Sequence, residues 1–266
     1  MKYAFIGSGN MARAIIGGMV RSGTPGENIA VINPGNPQST GEVHQQYGTV
    51  TACETALETA DCIVLAVKPQ TFPAALPLYA PHVNRDALLV SIMAGISLGS
   101  LEAAFPDSRV VRVMPNLNMS VGEGAAGYAL GSAATEDDGD TVGAMFAAGG
   151  LALRMDETQI DEVAALSGSG SAYLYYLVEA LRDAAIEDGM SYEMAEALAR
   201  QTLIGAAKLL SVTGASPETL RARITSKNGT TQAAINKMAE LHFPEAVKAG
   251  FRANKARSRE LAAETV

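Results

Sequence analysis

The chain has no tryptophan, only two cysteines, only three histidines, and fewer basic residues than acidic ones, 20 against 28. Each shortage excludes something. A net charge of −8 removes the phosphate neutralisation on which nucleic-acid binding rests, and it argues against an anionic membrane surface. Two cysteines, Cys53 and Cys62, cannot build a disulfide framework, which points to a reducing compartment. The histidines, His44, His82 and His242, are scattered, and no metal-ligand spacing occurs, so no metal is expected. No run of about 18 apolar residues is present to span a bilayer. The opening Met1-Lys2-Tyr3-Ala4-Phe5-Ile6-Gly7 lacks the pattern of a signal peptide. The expectation is a cytoplasmic protein that binds neither nucleic acid nor membrane.

What is there is apolar and periodic. Hydrophobic residues make up 48% of 266 positions, enough for a large core and a length comfortable for two domains. Short apolar runs at 3–6, 29–32, 62–67, 88–92 and 110–114 read as buried strands, with further strands at 125–130 and 151–154. Helical patterns lie between them at 11–21, 41–46 and 98–104. Strands alternating with helices predict a parallel, doubly wound sheet covered on both faces. From about residue 156 the signals are all helical: 171–187 closed by Gly189, a helix capped by Ser191 and ended by Gly214, one opened by Ser216-Pro217, then 231–241 and 244–263. The expected domains are 1–155, an α/β unit, and 156–266, an all-helical one.

The first strand runs into Gly7-Ser8-Gly9-Asn10-Met11-Ala12, a G-x-G-x-x-A pattern that opens a helix. In that context it is a dinucleotide-binding turn. Gly7 permits the tight bend, Gly9 lets a pyrophosphate approach the backbone, and the helix start favours negative charge. The next strand end should tell NAD from NADP. An acid there would repel a 2′-phosphate, but the residues are Asn33-Pro34-Gly35-Asn36. With neither acid nor arginine, the pattern favours NADPH and leaves NADH open. Ligands in such sheets bind outside the carboxyl ends of strands, so Ala66-Val67-Lys68-Pro69 and Asn116, after Met114-Pro115, join Gly7, Ser8, Gly9, Asn10, Met11, Asn33 and Pro34 as candidate cofactor contacts.

Two stretches of the helical half are rich in small polar residues. Ser167-Gly168-Ser169-Gly170-Ser171 precedes a long helix and lets it approach a ligand or another helix closely. Residues 225–231, Thr-Ser-Lys-Asn-Gly-Thr-Thr, have no large apolar side chain. Read alone, that segment is also an ordinary helix–helix connection. The stripe Tyr173, Leu174, Leu177 and Leu181 is core or subunit interface, and Glu179 reads as a surface acid.

Taken together, the segments 5–11, 66–70, 112–116, 165–173 with Glu179-Ala180, 201–207, 224–235 and 257–261 resemble the pyrroline-5-carboxylate reductase family, in order and spacing, over nearly the whole chain. The resemblance implies a Rossmann domain, a helical domain that intertwines with a partner's in a homodimer, and assemblies of dimers beyond that. It implies reduction of 1-pyrroline-5-carboxylate to L-proline by hydride transfer from NADPH or NADH, with Ser226, Gly229, Thr230 and Thr231 as substrate contacts. Thr231 takes the family position that hydrogen-bonds the ring nitrogen. The chain departs from the family pattern at Leu117-Asn118, at Ser171, and at Lys227-Asn228, which stand where the family has Thr-Pro, proline and Pro-Gly. The last change predicts a less rigid substrate loop. Two other readings compete: a non-catalytic NADP(H)-binding redox sensor, and a β-hydroxyacid dehydrogenase. The latter needs a catalytic lysine in the second domain, and Lys208 lacks the surrounding glycine pattern.

Overall fold

The computed structural model describes residues 1–106 and 108–264. Its contacts divide the chain into two compact units. One runs from Met1 to Ser169 and takes in the chain from Ala253 onward; the other is Gly170–Arg252.

The first unit is built on eight strands: β1 (Tyr3–Ile6), β2 (Ile29–Ile32), β3 (Val50–Thr51), β4 (Cys62–Leu65), β5 (Leu88–Ser91), β6 (Arg109–Met114), β7 (Gly124–Leu130) and β8 (Gly150–Arg154). They lie in the order β3-β2-β1-β4-β5-β6-β7-β8. The pairings from β3 to β6 are all parallel, β7 runs antiparallel to β6, and β8 parallel to β7. The reversal follows from the connection. Residues 115–123 are too few for the crossover of a dozen or more that a parallel neighbour needs.

Every residue of β4 and β5 is buried, because helices cover both faces. Alternation along the strands deals side chains to two cores. Phe5, Val64, Val90 and Val111 pack with Ile15, Ile16 and Phe146, on α1 (Asn10–Arg21) and α5 (Glu136–Ala147). Ile6, Ile63, Leu65 and Leu89 pack with Phe72 and Leu101, on α3 (Phe72–Tyr79) and α4 (Leu98–Ala104). The remaining helix of this region, α2 (Pro37–Tyr47), begins with Asn36 as its cap, whose side chain accepts from the Ser39 N–H, and ends at left-handed Gly48.

Among the strands of the sheet and the helices that cover it, β3, α3 and α5 have no counterpart in the sequence reading. β3 is two residues long. α3 carries Pro73 and Pro77, breakers by propensity, tolerated in a helix of 8 residues. In α5, Glu136-Asp137-Asp138-Gly139 obscures the apolar period, but Thr135 and Asp138 form a reciprocal capping box that starts it firmly.

Within the same unit the short helix α6 (Ile160–Val163) widens into a π turn at Ala164–Gly168, where the Ser169 N–H reaches the Ala164 carbonyl. Such widenings are rare and frequently sit at functional sites.

The second unit holds α7 (Gly170–Glu187), α8 (Tyr192–Thr213), α9 (Pro217–Arg223), α10 (Thr230–Glu240) and the greater part of α11 (Phe243–Glu264). Ser191 and Ser216 cap α8 and α9, and Gly214 closes α8 in the left-handed conformation. Arg182 on α7 ion-pairs with Glu196 on α8 at 3.4 Å. Its apolar faces are open: Tyr176 is 75% exposed and Ile204 56%, and Leu174 and Leu198 are exposed as well. Among the described residues, no helix is long and apolar enough to cross a membrane.

Candidate active site

Gly7 adopts φ +115°, and a Cβ there would stand 2.5 Å from the Ala66 carbonyl oxygen. The cause is the tight pairing at this end of the sheet, where Gly7 N–H donates to Ile32 O and Ala66 N–H to Ile6 O. No side chain fits between β1 and β4 at this level. Gly9 differs. A Cβ there would meet nothing within 4 Å, so its face is open. It caps α1 with no side-chain hydrogen bond, which leaves the first-turn N–H groups to an outside acceptor. A bare helix start above an open glycine, at the point where strand order reverses between β1 and β4, fits a pyrophosphate.

The other sheet-side candidates lie at the carboxyl ends of the strands. Ala66, Val67, Lys68 and Pro69 follow β4; Lys68 is exposed, and its carbonyl accepts from the Thr71 hydroxyl and N–H. Asn33 and Pro34 follow β2. The buried Ser8 hydroxyl accepts from Asn33 Nδ2 at 2.8 Å and donates to Ser39 Oγ at 2.8 Å. The glycine turn is thereby tied to the β2–α2 junction. Arg13 completes this cluster. Its Nε donates to Ser8 O, and its Nη2 to Ser39 O, Ser39 Oγ and, at 2.6 Å, Glu42 Oε2. The bonds from Arg13 and then Gln38 hold the Glu42 carboxyl below the usual carboxylate range.

Asn116 follows β6 and is buried. Its side chain is spent inside the protein: Nδ2 donates to Ser167 O at 3.1 Å and Oδ1 accepts from Ala125 N–H at 3.0 Å. It pins the π turn of the Ser-Gly-Ser-Gly segment to the sheet. Four residues earlier, within β6, the buried Arg112 ion-pairs with Glu157 at 3.0 Å and Asp161 at 3.5 Å. Glu157 also accepts from Leu98 N–H at the start of α4. Nothing in the spacing marks Arg112, an arginine inside a strand, as the tie between β6, α4 and α6. The final turns of α11 dock on the same region through Lys255 with Glu162 and Asn254 with Ser169.

In the helical unit, residues 226–229 form a turn in which Gly229 N–H donates to Ser226 O at 3.0 Å. Asn228 takes φ 60°, a left-handed conformation that asparagine tolerates better than most side chains. A turn remains with lysine and asparagine in place of the family's proline and glycine. Gly229 is tight against Ser226, whose Oγ would stand 2.3 Å from an added Cβ. It caps α10 with no side-chain hydrogen bond, so the N–H groups of Thr230 and Thr231 open the helix uncovered. No group of metal-ligating side chains occurs among the described residues.

The two units thus carry separate halves of the candidate set. Gly7–Met11, Asn33, Pro34, Ala66–Pro69 and Asn116 lie in the sheet unit; Ser226, Gly229, Thr230 and Thr231 lie in the helical one. Two family models match the chain. That for pyrroline-5-carboxylate reductase dimerisation covers residues 157–261, and that for the coenzyme F420-dependent NADP oxidoreductases covers 2–95. A pyrroline-5-carboxylate reductase of Pseudomonas aeruginosa is 39% identical over 98% of this chain and 97% of its own length. One from Arabidopsis thaliana is 36% identical over 98% and 95%. Among solved structures, a pyrroline-5-carboxylate reductase from Coxiella burnetii superposes with a TM-score of 0.89 at 33% identity, covering 98% of both chains. The Plasmodium falciparum enzyme, solved with NADP bound, gives 0.86 at 27%, again covering 98% of both.

Proposed function

The chain belongs to the pyrroline-5-carboxylate reductase family, and from that premise we propose that it reduces 1-pyrroline-5-carboxylate to L-proline with NADPH. The observation that carries the reading is the pair of bare helix starts. One, at Gly9, suits a pyrophosphate; the other, at Gly229, suits a carboxylate. Bound at the first, the nucleotide supplies a hydride to the C=N carbon of the ring.

The chain's own residues have little proton chemistry to do, because a protonated imine accepts hydride readily. Their task is placement, worth several kcal/mol. The N–H groups after Gly229, with the Ser226 hydroxyl, hold the substrate carboxylate. The Thr231 hydroxyl accepts from the iminium N–H and donates to the amine of the product, serving both ends of the reaction. Gly7, Ser8, Gly9, Asn10 and Met11 cradle the pyrophosphate, and the strand-end residues Ala66, Val67, Lys68 and Pro69 flank the rest of the nucleotide. Asn33 and Pro34 face its adenosine ribose. Asn116 acts through its backbone and through the π turn it pins.

The exposed apolar side chains of α7 and α8 support a homo-oligomer, since large apolar residues left open side by side on a monomer mark an interface. We assign residues 156–266 to that dimerisation and substrate domain, residues 1–155 to the nucleotide, and the working form to a cytoplasmic homodimer or an assembly of dimers. The test is NADPH oxidation with pyrroline-5-carboxylate, run beside 3-hydroxyisobutyrate oxidation with NAD. Imine turnover alone is expected. Hydroxyacid turnover, or nucleotide binding with neither activity, overturns the reading.

A further inference from the structure

The group that distinguishes NADPH from NADH is a phosphate on the adenosine ribose, carrying nearly two negative charges at neutral pH. The β2 strand end that should meet it, Asn33-Pro34-Gly35-Asn36, contains no cation. The structure brings one there from another element. Arg13, on the first turn of α1, holds Ser39 at 2.9 Å; Ser39 shares a 2.8 Å bond with Ser8; Ser8 bonds Asn33 at 2.8 Å. The guanidinium is fixed by the Ser8 and Ser39 carbonyls, neither of which cancels its charge. Its Nη1 makes no hydrogen bond among the described residues, while Nη2 meets Glu42. The Arg13 side chain is 25% exposed and that of Glu42 48%.

A pair so open to water contributes little to stability, so its placement asks for another purpose. Resting on the NADPH reading, we propose that Arg13 selects the ribose 2′-phosphate, and that Glu42 tempers this selection by holding the guanidinium until the phosphate displaces it. A planar guanidinium can grip a phosphate through two parallel bonds, and Nη1 and Nη2 are the nitrogens that would do so. With NADH the Arg13–Glu42 pair stays closed and nothing charged is stranded. The arrangement therefore admits both nucleotides and favours the phosphorylated one.

The test uses calorimetry on the full chain with adenosine 2′,5′-bisphosphate and with 5′-AMP, beside kcat/KM for NADPH and NADH. Removing bonds to a charged group should cost Arg13→Gln about 10- to 100-fold in bisphosphate affinity while 5′-AMP affinity moves less than about threefold. The NADPH/NADH ratio should fall in step, Arg13→Lys should recover part of it, and Glu42→Gln should raise it. Equal losses for both fragments in Arg13→Gln would make the residue a support of the glycine turn and overturn the proposal. So would a Glu42→Gln ratio at or below that of the unaltered protein, a readout that stands even if Arg13→Gln misfolds. Failure of the unaltered protein to bind NADPH at all would instead remove the nucleotide reading beneath it.

Discussion

Thr231 is a hydroxyl on the first turn of α10, one residue inside a helix start that no side chain caps. Its assigned bond is to the ring nitrogen, where charge changes during hydride transfer. Thr231→Ala should lower kcat for imine reduction about 10- to 100-fold, the worth of one hydrogen bond to a charged partner. NADPH binding and thermal stability should be unaltered. Stopped-flow turnover with calorimetry on the same variant checks this; full turnover would strip the residue of its role. The residue scale is also where the sequence was hardest to read. Arg13 lies 20 positions before Asn33, and only folding joins them through Ser8 and Ser39. Asn116 invited a cofactor contact by its place after a strand, yet its amide reaches Ser167 and Ala125. Asn228 occupies a left-handed turn position, a property of backbone geometry that spelling alone conveys weakly.

Elements were legible where one physical rule governed them. The strands of the parallel sheet are buried on both faces, so they appear as unbroken apolar runs, and capped helices such as α8 carry Ser191 and Gly214 at their ends. α3 and α5 are hidden in the sequence because prolines in one and acids with glycine in the other outweigh the apolar period. The glycine turn after β1 was legible because its constraint is steric and local: only a residue without Cβ fits 2.5 Å from Ala66 O at φ +115°. Gly7→Ala must therefore shift the end of β1 against β4. It should cost at least ~2 kcal/mol in stability and abolish NADPH binding, read by denaturant unfolding and by quenching of nucleotide fluorescence. Retention of both would mean that the turn is not the nucleotide's seat.

At the scale of the whole molecule, the sheet unit buries its core while the helical unit leaves Tyr176, Leu198 and Ile204 open. The sequence announced the amphipathic stripes but could not say whether one chain or two would cover them, because a stripe has the same period either way. An assembly of chains resolves the imbalance. Sedimentation should find no monomer at micromolar concentration. A charge placed on the patch, Tyr176→Glu, should split the assembly and stop turnover while the sheet unit still binds NADPH. A fully active monomer would refute the partnership.

The central claim is that the turn opening α10 grips the substrate's carboxylate. A crystal grown with NADP and L-proline addresses it directly. The account predicts the proline carboxylate against the N–H groups that follow Gly229, its nitrogen bonded to the Thr231 hydroxyl and its ring beside the nicotinamide. Proline bound elsewhere, with residues 226–231 untouched, would contradict it.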